Sequence, residues 1–161
     1  MKLNEIAKKV PDGSYVGVRF DKETKKAIKE LMLELKVPNR ISSDKLHSTI
    51  IYSRKYVPEL KANNDLYPIK AKGIDLHIFD TQDKKRALVM KLDSRKLVDR
   101  HNEIMAEYQT TYDFPEYIPH ITLSYDCGDF DPSTYTGKLP AVTIEEEYVQ
   151  DLILDWQNKK D

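Results

Sequence analysis

His47-Ser48-Thr49-Ile50 and His120-Ile121-Thr122-Leu123 are one phrase written twice: a histidine, one intervening residue, a threonine, then an aliphatic residue. Each continues to a tyrosine at the same offset, Tyr52 and Tyr125. With four histidines and nine threonines in the chain, composition alone would give two such pairs about once in fifty shuffled sequences. Breaking a phosphodiester requires a proton to leave the attacking oxygen and another to reach the leaving oxygen. An imidazole, with a reference pKa of about 6.5, serves in either role near neutral pH. Threonine hydroxyls can hydrogen-bond the non-bridging oxygens, and a nearby imidazolium offsets the developing charge. The repeated phrase therefore points to phosphoryl transfer by His47, Thr49, His120 and Thr122. A zinc site would be the rival use of the same histidines, but no HExxH and no close acidic ligand spacing accompanies them. Neither a metal nor an organic cofactor is expected.

The motifs need strands to carry them. Side chains alternate along a strand, so His47 and Thr49 should share one face, as should His120 and Thr122, while Ile50, Tyr52, Leu123 and Tyr125 take the packed face. YVGVRF (15–20) reads as a strand, and the following DKETKKAIKELMLELK places Ala27, Ile28, Leu31 and Leu35 at helical spacing, ended by Pro38-Asn39. LHSTIIYS is the next strand. YPIKAKGIDLHIFDT and ALVMKLDS flank a hairpin turn at 82–86; a second helix starts behind Ser94 as N-cap, with a stripe of Leu97, Ile104, Met105 and Tyr108. HITLSYD is a strand, CGDFDPSTYTGKLP a loop, and VTIEEEYVQDLILDW terminal β structure. The order strand, helix, strand with HST, then hairpin, helix, strand with HIT suggests two related antiparallel lobes whose histidine strands are central neighbours.

The bulk composition narrows the partners. A chain of 161 residues with one cysteine is expected to form a single domain, 1–161, in a reducing cytoplasm, with Cys127 a buried or half-buried passive thiol. The N-terminus lacks the apolar run of a signal peptide and no segment reaches membrane-spanning length, so no membrane partner is expected. The net charge of −1 gives no broad footprint for duplex nucleic acid. His77 and His101 lack the repeated context and are expected to be structural. Glu145-Glu146-Glu147 reads as a solvated strand edge, and Lys84-Lys85-Arg86 as a solvated turn.

Two His-x-Thr-aliphatic motifs, each behind a strand-helix unit, resemble those of the two-histidine (2H) phosphoesterase superfamily over nearly the whole chain. Within it, the chain's size, the early DGSYVGVRF strand and the late tryptophan are most similar to the phage anti-CBASS phosphodiesterases. The resemblance implies an α+β, bilobal fold with two pseudo-symmetric antiparallel sheets and flanking helices around a central groove. It implies a metal-independent enzyme that degrades cyclic di- and trinucleotide second messengers and so blocks the CBASS defence, in the cytoplasm of the host bacterium. It further implies that Tyr15 and Trp156 stack on nucleobases. Gln150 would share a strand face with Trp156 and read a base edge, although a sole tryptophan in a small domain is usually a core residue. Two other readings stay open: a 2′-5′ oligoadenylate or RNA-end 2′,3′-cyclic phosphodiesterase, and a non-catalytic nucleotide-sequestering module. Intact motifs in both halves weigh against the last.

Overall fold

The computed structural model describes residues 10–81 and 83–154. Six strands are present among them: β1 (Gly13–Phe20), β2 (His47–Ser53), β3 (Ile69–Asp80), β4 (Arg86–Asp93), β5 (His120–Ser124) and β6 (Ala141–Leu152), with helices α1 (Lys22–Leu35) and α2 (Arg95–Tyr108). Each helix starts on a side-chain cap. Asp21 accepts from the Thr24 N–H at 2.9 Å, and Ser94 from the Leu97 N–H at 3.2 Å. Each also ends on a residue with left-handed backbone, Lys36 and Gln109. The α1 stripe Ile28, Leu31 and Met32 is buried. So are Leu97 and Ile104 of α2, but there the buried face also takes in Arg100 and His101, while Met105 is only half-buried.

The strands form one antiparallel sheet in the order β2-β1-β6-β3-β4-β5, and not the two separate sheets expected. The twelve-residue β6 accounts for this. Its Ile144–Leu152 stretch pairs with β1, and its Ala141–Ile144 stretch pairs with Lys72–Ile69 of β3, joining two three-stranded halves through a short seam. The acidic run thus lies on an interior strand and not on an edge. Val16, Val18, Phe20, Leu88, Met90, Ile121 and Leu123 pack on one face of the sheet against the helices. None of the described helices is long and apolar enough to cross a membrane.

β2 and β5, expected as central neighbours, are instead the outermost strands in hydrogen-bond order, yet they touch: Ser48 Oγ donates to the His120 carbonyl at 2.6 Å. Their outer edges are covered by an exchange between the halves. The segment leaving α1 binds β5, where the Ile41 N–H donates to the Leu123 carbonyl at 2.9 Å and Ser124 Oγ to the Pro38 carbonyl at 2.7 Å. The segment leaving α2 binds β2, where the Asp113 N–H donates to the Tyr52 carbonyl at 3.1 Å and the Thr111 N–H to Ser53 Oγ at 3.0 Å. The helix that follows one half's strand therefore secures the histidine strand of the other, and neither edge is left open for pairing with another chain.

Candidate active site

The two histidines open their strands and are held alike. His47 Nδ1 lies 3.0 Å from the Lys45 carbonyl oxygen, and His120 Nδ1 lies 2.6 Å from that of Ile118, in both cases two residues back. A carbonyl offers only lone pairs, so Nδ1 carries the hydrogen and donates it. Nε2 is then a bare base in the neutral ring and an N–H acid in the charged one. The likeness continues past the threonines, where both strands bulge. Gly17 faces Thr49 but Val16 faces Ile51; Val89 faces Thr122 but Leu88 faces Ser124. The extra residue puts both Ile50 and Ile51 into the core and returns Tyr52 to the histidine's side, beside Tyr15 at 6.4 Å between ring centroids. The simple alternation that sent Tyr52 and Tyr125 to the packed face fails for this reason, and Tyr125 is 56% exposed.

Charge and surroundings separate the two rings. Burial lowers the His120 pKa below its ordinary value. The bond to Ile118 opposes that shift, and the nearby positive groups of His47 and Lys91 reinforce it. His120 is accordingly neutral at neutral pH. Phe79 stands edge-on to it at 5.3 Å, and His77 edge-on to Phe79 at 5.0 Å. On the other side, Tyr15 is edge-on to His47 at 6.4 Å and its hydroxyl shares a 2.9 Å hydrogen bond with Thr49 Oγ1. Burial raises the Tyr15 pKa far above its ordinary value, so the phenol stays neutral. Tyr15 and Tyr148 lie across Gly17, where an added Cβ would meet the Tyr148 hydroxyl at 2.7 Å and the Tyr15 ring at 2.8 Å, so only glycine admits both rings. The Thr122 hydroxyl makes no hydrogen bond with the described residues.

Of the residues expected from sequence, His47, Thr49, His120, Thr122 and Tyr15 come together. Gln150 is exposed on the same face, in register with Tyr15. Trp156 lies outside the described residues. His101 is structural in a way that bears on the site. Its Nδ1 donates to the Ile50 carbonyl at 2.7 Å, and its ring stacks on Tyr117 at 4.2 Å, whose hydroxyl donates to the Thr49 carbonyl at 2.9 Å. The pair fixes the backbone of the first motif. The acidic run divides. Glu145 is exposed and Glu146 pairs with Arg19 at 3.1 Å, but Glu147 is buried, with Arg100 at 2.7 Å and the Tyr67 hydroxyl at 2.6 Å. The solvated reading of that residue is overturned because β6 is interior and α2 covers its back. Arg86, likewise, is no solvated turn residue: it donates to the carbonyls of Gly128 and Phe130 and ties down that loop. Cys127 is a buried free thiol. No three His, Cys, Asp or Glu side chains among the described residues are grouped to hold a metal.

Sequence reasoning missed Tyr148, Arg19, Lys91 and Phe79. The period of two that placed Gln150 on the working face also places Glu146 and Tyr148 there, so Tyr148 was within reach. Arg19, Lys91 and Phe79 depend on strand register.

The α+β sheet is similar in fold to solved structures of Escherichia coli LigT. Escherichia coli LigT complexed with 3′-AMP superposes with a TM-score of 0.59 over 87% of each chain at 16% identity, and LigT complexed with ATP with 0.55 over 88% of this chain and 87% of that one at 14%. The chain belongs to the anti-CBASS protein Acb1 family, whose model matches residues 12–159. It is 41% identical over 145 residues to the anti-CBASS protein of Salmonella phage S16, covering 89% of this chain and 91% of that one. It is 39% identical over 145 residues, with the same coverage, to that of Enterobacteria phage T4. With the Vibrio phage KVP40 protein it shares 32% over 161 residues, the full length of both.

Proposed function

We propose that this protein is a metal-independent phosphodiesterase that opens cyclic di- and trinucleotide signals, and so disarms CBASS in the cytoplasm of an infected bacterium. The observation that carries the reading is the matched pair of imidazoles, each presenting Nε2 because its Nδ1 donates to its own chain two residues back. His120, kept neutral, takes the proton from a ribose 2′-hydroxyl as that oxygen attacks the adjacent phosphorus. His47 acts as the acid and gives its Nε2 proton to the departing 5′-oxygen as the phosphorus–oxygen bond breaks. The products are a 2′,3′-cyclic phosphate and a free 5′-hydroxyl. Hydrolysis of the cyclic phosphate would run through the same pair with roles reversed. Thr49 and Thr122 bind the non-bridging oxygens. Family membership supports the cyclic-nucleotide substrate, and the aromatic lining by Tyr15 and Tyr148, with the exposed amide of Gln150, suits nucleobase contact.

The test is to incubate the purified protein in EDTA with cyclic dinucleotides, cyclic trinucleotides and 2′-5′ oligoadenylates, alongside a cyclic dinucleotide carrying a 2′-deoxyribose at the scissile position. Cleavage in EDTA with the deoxy compound intact is expected. Activity that needs an added divalent ion, or equal cleavage of the deoxy compound, would overturn the mechanism; binding without cleavage would mark a sequestering module.

A further inference from the structure

The two halves repeat more than their motifs. Across β6, β1 and β2 one register row reads Glu146, Arg19, His47, and across β3, β4 and β5 the corresponding row reads Asp75, Lys91, His120. Each is a carboxylate, a cation and an imidazole in that order. Directly paired residues of an antiparallel sheet present neighbouring side chains on one face. Each histidine thus has a cation as its immediate neighbour on the working face, in a chain whose charges otherwise nearly cancel.

The two cations are not equally engaged. The Arg19 guanidinium bonds Glu146 at 3.1 Å and lies over the Tyr148 ring at 3.8 Å. Lys91 is half-buried, and its ammonium makes no hydrogen bond or ion pair with the described residues. An ammonium without a carboxylate partner among the described residues, beside a histidine of the doubled motif, is open to an oxygen of an anionic ligand. We propose that Lys91 binds a non-bridging oxygen of the scissile phosphate beside His120 and stabilises the charge that grows there during attack. This rests on the acid–base reading of the two histidines given above. A fixed ammonium at that oxygen acts most strongly in the transition state, where charge is greatest. Its nearness to His120 also helps to keep that ring neutral. Arg19, already committed to a carboxylate and a ring, is the weaker counterpart and holds the phosphate on the His47 side.

The experiment compares Lys91→Gln and Lys91→Arg with the wild-type chain, using a 3′-5′ cyclic dinucleotide in EDTA from pH 5 to 9. The groups whose charge bears on His120 are His47 from β2 and Lys91 from β4, with Asp75 of β3 in register beside Lys91. Lys91→Gln is expected to lower kcat/KM at least tenfold, chiefly through kcat, and to move the acid limb of the profile to higher pH, because loss of the positive neighbour raises the His120 pKa. Lys91→Arg is expected to keep most of the activity. A Lys91→Gln protein within twofold of wild type, with its acid limb unmoved, would overturn the proposal. A loss that Lys91→Arg does not restore, with no movement of the limb, would overturn it too. Calorimetric titration with a nucleoside 3′-monophosphate reads the same contact without turnover, with binding at least fivefold weaker expected for Lys91→Gln. If the wild-type chain cleaves no nucleotide yet shows that difference, the acid–base reading fails while the phosphate contact stands. Equal binding by both would remove the contact itself.

Discussion

The halves around His47 and His120 share a histidine bond, a threonine, a bulge and a cation in register, yet their linings differ. Tyrosines surround His47, and one of them holds Thr49 by its hydroxyl. A half-buried ring against Phe79 marks the His120 side, where neither Lys91 nor the Thr122 hydroxyl has a hydrogen-bond partner among the described residues. Beneath the first half runs the buried Arg100–Glu147 pair, and beside it His101 and Tyr117 fix the β2 backbone. The shared part is what the proposed chemistry would use twice, a ring with Nε2 left open because Nδ1 donates to its own chain. On the proposed mechanism the unshared part divides the labour, since burial and neighbouring positive charge hold the His120 pKa down, as a neutral base requires. A symmetric pair of rings would compete for the same role.

The largest effect should come from the shared part. His47→Ala and His120→Ala are each expected to lower kcat on a cyclic dinucleotide by roughly 10²–10⁴-fold with folding intact, and the double variant by little more, since the two act in one step. Strictly additive losses would break the picture of one concerted pair. Next is the first half's private support. Glu147→Ala leaves Arg100 only the more exposed Glu103 as a carboxylate partner and strips the Tyr67 hydroxyl of its acceptor, and should cost about 2–4 kcal/mol in denaturant unfolding. A loss under 1 kcal/mol would show the pair to be hydrated in solution. Tyr15→Phe removes only the hydroxyl that holds Thr49, and is expected to lower kcat by about tenfold or less, the worth of one hydrogen bond. Thr122 has no such holder among the described residues, so a Thr122→Ser change should be milder than Thr49→Ser in the same assay.

The smallest effect is on stability against pH. Burial holds both His101 and His120 below their ordinary pKa. The unfolded chain therefore binds protons that the folded chain resists, so stability is complete above about pH 6.5 and falls as the pH drops below it. Melting temperature should decline from pH 7.5 to 5. His101→Asn, whose amide can still donate to the Ile50 carbonyl without titrating, should flatten part of that decline. An unchanged slope would assign it to other groups.

Much of this was legible in the residues. The doubled phrase needed no fold to be recognised, because the chemistry depends on residue type at a fixed short spacing. The strands, both helices and the Ser94 cap follow from local periodicity and backbone hydrogen-bond demand, which act within a few residues. What failed did so at longer range. Glu147 reads as a solvated charge until a cation from α2, far off in sequence, is brought against it. Tyr52 reads as packed until a bulge, set by the pairing of β2 with β1, turns it round. Arg19 and Lys91 carry no mark in the sequence at all, since their relation to the histidines is a matter of register between strands. The sequence by itself determined the elements and the four residues of the doubled motif. Tertiary structure alone decided the single joined sheet, the exchange of helices that brings β2 and β5 together, and the surroundings that lower the His120 pKa, because register, closure and desolvation arise only between segments already folded against one another.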